Sequence, residues 1–87
     1  MKLKKAQKKF LFEKGYVSAK VLDADTEPGW QDYFIKFFDW KLEEQKNSYG
    51  FNTLHLIADD GDYWYNINLN FQNDDYNKLL EAGKKVC

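Results

Sequence analysis

The dipeptide Asp60-Gly61 stands between two runs that alternate apolar and polar side chains, Thr53–Ala58 and Tyr63–Phe71. Asp-Gly supplies the positive backbone angles that a tight type I′ turn needs, so this pattern predicts an antiparallel β-hairpin over 53–58 and 63–71. With a two-residue turn, Ala58 faces Tyr63, Leu56 faces Tyr65 and Leu54 faces Ile67 on an apolar side. Ile57 then faces Trp64, His55 faces Asn66 and Thr53 faces Asn68 on the other. A slip of one residue would scatter this sorting, so pattern and turn agree on which residues share a face.

The flanking segments read less sharply. Met1–Lys14 carries Leu3, Ala6 and Phe10 on a helical stripe among lysines, with Gly15 placed to close the helix, giving a basic N-terminal helix or arm over 1–15. Val17, Ala19 and Val21 alternate, which predicts a strand over Tyr16–Leu22, followed by turns through Asp23–Gly29. Trp30–Lys46 fits a helix by periodicity and a strand by composition. The strand over Tyr33–Leu42 is preferred, because a hairpin needs a sheet to join. Asn73-Asp74-Asp75 caps a C-terminal helix over 73–86, with Tyr76, Leu79 and Leu80 facing inward. The expectation is one compact α+β domain over 1–87: a small antiparallel sheet of about four strands with a helix at each end of the chain. Eighty-seven residues suffice for one core.

Several function classes are excluded by inventory. The chain has no arginine, one histidine (His55) and one cysteine (Cys87), so no structural Cys/His zinc site can be assembled, and Cys87 has no partner for an internal disulfide. Ser18 and Ser48 lie in no nucleophile motif, and the five glycines are isolated, so neither catalysis nor a phosphate loop is expected. Asp59-Asp60-Gly61-Asp62 does not fit an EF-hand, and Asp23-x-Asp25 reads as turn chemistry. No catalytic residue, metal or cofactor is assigned. No apolar run approaches the ~20 residues of a membrane span, and no signal-peptide core follows the basic start, which points to the cytoplasm.

Charge is segregated along the chain. Residues 1–20 hold seven lysines and one glutamate, net +6; residues 21–77 hold three lysines against nine aspartates and three glutamates, net −9. Two binding modes follow. Asp59, Asp60 and Asp62 at the hairpin tip, with Trp64, Ile57 and His55 on the polar sheet face, would form a partner-binding surface for a basic protein. Asp59 and Asp62 would then sit opposite each other, a repulsion that such a partner would offset. Alternatively, Lys4, Lys5, Lys8 and Lys9 would hold phosphates while Trp64 stacks on a base of single-stranded nucleic acid.

Absence of arginine beside abundant Lys, Asn, Asp, Tyr and Phe suggests an AT-rich genome. In size and style the chain resembles small phage accessory proteins, including anti-CRISPR inhibitors of host defence, and it is similar in scale and charge to toxin immunity proteins. The resemblance rests on no motif and carries no site residues over. It implies a non-enzymatic inhibitor acting in the host cytoplasm, as a monomer or small homo-oligomer, that covers a basic nucleic-acid-binding surface of its partner.

Overall fold

The computed structural model describes residues 2–84; Met1 and the last residues of the expected C-terminal helix, with Cys87, lie outside the described residues. Its elements run α1 (Lys5–Glu13), α2 (Trp30–Phe37), β1 (Asp39–Lys46), β2 (Asn52–Asp59), β3 (Trp64–Leu69) and α3 (Asp75–Lys84). The class is α+β. The sheet has three strands in the order β1-β2-β3, antiparallel throughout, where four were expected.

The missing strand is 16–22. Gly15, at φ 82°, ends α1, and the chain then turns twice instead of extending: Leu22 N–H donates to Ser18 O at 3.0 Å and Ala24 N–H to Ala19 O at 2.9 Å. Val17, Ala19 and Leu22 are buried but Val21 is exposed, so the apparent alternation does not track burial.

Trp30–Lys46 is helix and strand in succession, which corrects the expected strand over Tyr33–Leu42. Phe34 and Phe38 are both buried, and a spacing of four satisfies a helical face and a strand alike. The switch comes at Phe38, which is extended (φ −106°, ψ 138°). Beyond it Trp40 and Leu42 point inward while Asp39, Lys41 and Glu43 point out.

The hairpin is real but its register differs from the expected one. Leu56 pairs with Ile67, Ala58 with Tyr65 and Asp59 with Trp64, a shift of two residues. The connection is four residues long, because Asp60 closes it with its side chain. Asp60 Oδ1 accepts the N–H groups of Asp62 (2.9 Å) and Tyr63 (2.7 Å), and Asp59 Oδ1 accepts that of Gly61 at 2.6 Å. Local Asx bonding has displaced the two-residue turn. A two-residue shift preserves the side-chain parity, so the inner and outer faces are as expected.

The inner face carries the core. Trp40, Leu42, Leu56, Ala58 and Leu69 meet Leu3 and Leu11 from the N-terminal segment, Phe34 and Phe38 from α2 and its end, and Leu79 from α3. Aromatic contacts tie the layers together: Phe12 meets Trp30 at 5.3 Å and Trp40 at 5.4 Å edge-to-face, and Phe34 lies 4.6 Å from Phe38 with the rings tilted by 31°. Trp40 is fully buried, and its Nε1–H donates to Phe34 O at 3.1 Å. In α1 the inward residues are Gln7 and Leu11, not the expected Ala6, which is exposed. Leu3 is buried ahead of the helix, where its N–H donates to Trp40 O at 2.7 Å. Tyr76 of α3, expected to face inward, is exposed, while Leu79 is fully buried.

Candidate partner-binding surface

The helices cover one side of the sheet and leave the other open. On the open side Asp39, Lys41 and Glu43 of β1 are exposed, as are Asp59 of β2 and Trp64, Asn66 and Asn68 of β3. Trp64 is 64% exposed and sits at the end of the sheet beside the hairpin connection, paired with Asp59. The two other outer-face candidates are less available. Ile57, between Lys41 and Asn66 in the register, is only 4% exposed and offers little contact area. His55 is half-buried and held at both ring nitrogens, with Thr53 Oγ1 2.7 Å from Nε2 and Asn66 Oδ1 2.7 Å from Nδ1. It braces the sheet rather than presenting a free imidazole.

The acidic tip is built differently from the expectation. Asp59 does not oppose Asp62: its cross-strand neighbours are Trp64 on one side and Asp39 on the other. The like-charge pair is therefore Asp39–Asp59, and Lys2 Nζ lies 3.5 Å from the Asp39 carboxylate. Asp60 is consumed by the connection, whereas Asp62 is exposed and its carboxylate makes no hydrogen bond among the described residues.

A feature missed by sequence reasoning adjoins the tip. An open cleft of about 700 Å³ is lined by Asp23, Asp25, Glu27 and Asp60, with Trp30, Tyr33, Tyr63 and Tyr65 among its aromatic walls. No lysine lines it. The Tyr65 hydroxyl is pushed above the usual tyrosine range, first by burial and then by the carboxylates of Asp23 and Asp60. Asp60 and Tyr63 belong to both the cleft and the hairpin connection, so the two acidic groups form one continuous end of the molecule. The signal in the sequence was the acidic run Asp23–Glu27 shortly before Trp30 and Tyr33, but nothing in it placed that run against residues 60–65.

The lysines of the N-terminal helix are partly committed to the fold. Lys4 Nζ donates to Gly83 O at 2.9 Å, at the C-terminal end of α3. Lys8 Nζ donates to Ile35 O (2.8 Å) and Phe38 O (3.1 Å), at the end of α2. A lysine at a helix C-terminus satisfies orphan carbonyls and complements the dipole. Burial lowers the Lys8 pKa, with Asp39 opposing that shift and Lys2 adding to it. Lys5 and Lys9 are exposed. Since α1 packs on the inner side through Leu11 while Trp64 lies on the outer side, the lysines and the proposed stacking platform occupy opposite faces of the sheet. Among the described residues no group of three or more His, Cys, Asp or Glu could hold a metal, and no helix is long and apolar enough to cross a membrane. Comparison with known proteins finds no matching family model, no similar curated protein and no similar solved structure.

Proposed function

We propose that this chain is a non-enzymatic binding protein that docks its acidic, aromatic end on a basic surface of a partner protein, such as a nucleic-acid-binding surface, and covers it. The observation that carries the reading is the cleft: four carboxylates and several aromatic rings converge beside the Asp60–Tyr63 connection with no lysine among the described residues lining it. Such a site is complementary to an alkylammonium or guanidinium group, which gains Coulomb attraction from the rim and cation–π contact from the walls. Trp64, exposed at the same end, adds a large anchor of the type that dominates binding energy. An inhibitor of host defence or of a toxin fits this mode of action.

The single-stranded nucleic-acid reading is weakened by the use of Lys4 and Lys8 as helix caps and by their separation from Trp64. The deciding experiment titrates the protein with a lysine- and arginine-rich peptide and, separately, with a single-stranded oligonucleotide, and follows amide shifts. The proposal expects peptide-induced shifts at Ala24, Tyr33, Tyr63 and Tyr65, lost in Asp23→Asn/Asp25→Asn, and weak oligonucleotide binding. Submicromolar oligonucleotide binding with no response of the cleft to peptide overturns it.

A further inference from the structure

The two edges of the sheet are treated differently. At β1 the N-terminal segment begins a further pairing, with Lys2 bridged to Lys41 and Leu3 N–H donating to Trp40 O. At β3 no backbone group among the described residues pairs with the outer edge. Exposed edges are ordinarily protected by charge, proline or a bulge, because an unpaired row of N–H and C=O groups is a template for another strand. Trp64–Leu69 has no charged residue and no proline. The uncharged stretch extends over the eleven residues Tyr63–Asn73 in a chain that is 31% charged.

We infer that β3 is a self-association edge: two copies of this chain pair β3 to β3, antiparallel, about a two-fold axis through Ile67, to form one continuous six-stranded sheet. A two-fold between antiparallel strands sets one residue opposite its own copy, and opposed residues share a face. With Ile67 on the axis, Tyr65 meets Leu69 and Ile67 meets Ile67 on the inner side, where Tyr65 and Ile67 are only partly buried in the single chain. On the outer side Asn66 meets Asn68, so amide faces amide. No like charges are brought together along the seam, the usual obstacle when a surface pairs with itself. A strand of this length spans about 20 Å, giving an interface smaller than the ~800 Å² per partner of a standard complex. The dimer is accordingly weak. This edge does not depend on the acidic cleft, and the inference stands apart from the function proposed above.

Sedimentation velocity of the full chain tests it, at about 10 μM and about 1 mM, concentrations that span dissociation constants of a weak complex. Wild type should shift toward dimer mass at the higher concentration, with β3 amides gaining hydrogen-exchange protection as the dimer fills. Asn66→Lys/Asn68→Lys sets lysine opposite lysine twice across the axis. Asn66→Lys/Asn68→Glu sets lysine opposite glutamate twice, so the two variants should differ roughly tenfold in dissociation constant, the charge-swapped pair being tighter. Circular dichroism establishes that both variants are folded. A strictly monomeric wild type at the higher concentration, or a dimer that responds equally to both variants, overturns the inference; a charge-swapped variant weaker than the double lysine overturns the axis.

Discussion

Gly83→Ala is expected to destabilise the protein, against the usual preference of a helix for alanine. In an unconstrained helix interior the change should gain about 0.5–1 kcal/mol. Here a Cβ on Gly83 would lie 2.5 Å from Gln7 Nε2 and 2.8 Å from its Cδ. Gln7 cannot swing aside cheaply. It is 3% exposed, its Nε2 donates to Leu79 O at 3.0 Å, and its Oε1 accepts the Lys4 N–H at 2.8 Å. Overpacking of this kind costs about 1–3 kcal/mol, and moving the carboxamide forfeits hydrogen bonds worth about 0.5–1.5 kcal/mol each. The net expectation for Gly83→Ala is a loss of about 1–3 kcal/mol, or roughly 4–8 °C in Tm per kcal/mol. Gln7→Ala alone should also lose about 1–3 kcal/mol, from the two hydrogen bonds and the emptied space. In the Gln7→Ala background the obstruction is gone, so Gly83→Ala should become neutral or stabilising by up to about 1 kcal/mol. Urea and thermal melts of the four proteins complete the cycle. A stabilising Gly83→Ala in the wild-type background, or additivity within about 0.5 kcal/mol, would refute the idea that the α1–α3 contact turns on this pair.

Tyr16 donates its hydroxyl to the buried Asp75 at 2.6 Å and accepts the Gln72 N–H at 2.9 Å, so Tyr16→Phe should lower Tm by leaving Asp75 without its donor. The Asp75 bond raises the Tyr16 pKa, so the folded protein holds this proton more tightly than the unfolded chain: the associated stability is present below pH ~10 and lost as pH rises through the folded pKa, and Tyr16→Phe should flatten that alkaline loss in pH-dependent melts. Lys8→Met should cost about 1 kcal/mol by uncapping α2. Because burial lowers the Lys8 pKa, the unfolded chain binds more protons between that folded value and 10.5, so Lys8 makes stability rise with pH in this window and Lys8→Met should remove the rise. Trp40→Ala should cost about 3–5 kcal/mol in denaturant melts, while Trp64→Ala should change stability by no more than about 0.5 kcal/mol, since one ring is fully buried and the other 64% exposed.

What could be read from the sequence was whatever a single periodicity determines. Leu54, Leu56 and Ala58 on one side, with Thr53, His55 and Ile57 on the other, follow from alternation alone, and the α3 segment follows from its Asp-rich start. Residues 16–22 and 30–46 failed the same treatment for identifiable reasons. Val17, Ala19 and Val21 alternate in the sequence as a strand would, but the chain turns, so Leu22 is buried in place of Val21. The buried Gln7 and the capping Lys4 and Lys8 are polar groups whose partners lie on other elements, and local pattern cannot supply those partners.

The candidate site depended on a competition between two local chemistries. A two-residue turn at Asp60-Gly61 would place Tyr63 in the strand, opposite Ala58 on the inner face. Instead the Asp60 carboxylate gathers two backbone N–H groups, the connection lengthens to four residues, and Tyr65 takes the position opposite Ala58. Tyr63 is thereby released from the sheet, left 66% exposed, and becomes a wall of the cleft beside Asp60. The same shift moves Asp59 out of register with Asp62, removing the repulsion expected across a tight tip and leaving Asp62 exposed in the connection. Two residues of strand pairing are exchanged for side-chain capping of the connection. If that exchange makes the acidic end, replacing Asp60 with alanine should do more than remove one charge: it should release the Asp62 and Tyr63 amides and disorder the Tyr63 wall. Asp60→Asn keeps the acceptor oxygen, so it should preserve the shape while lowering the charge. Comparing peptide titrations and Tyr63 amide shifts for the two variants separates shape from charge, and identical behaviour would show that the Asp60 hydrogen bonds do not build the cleft.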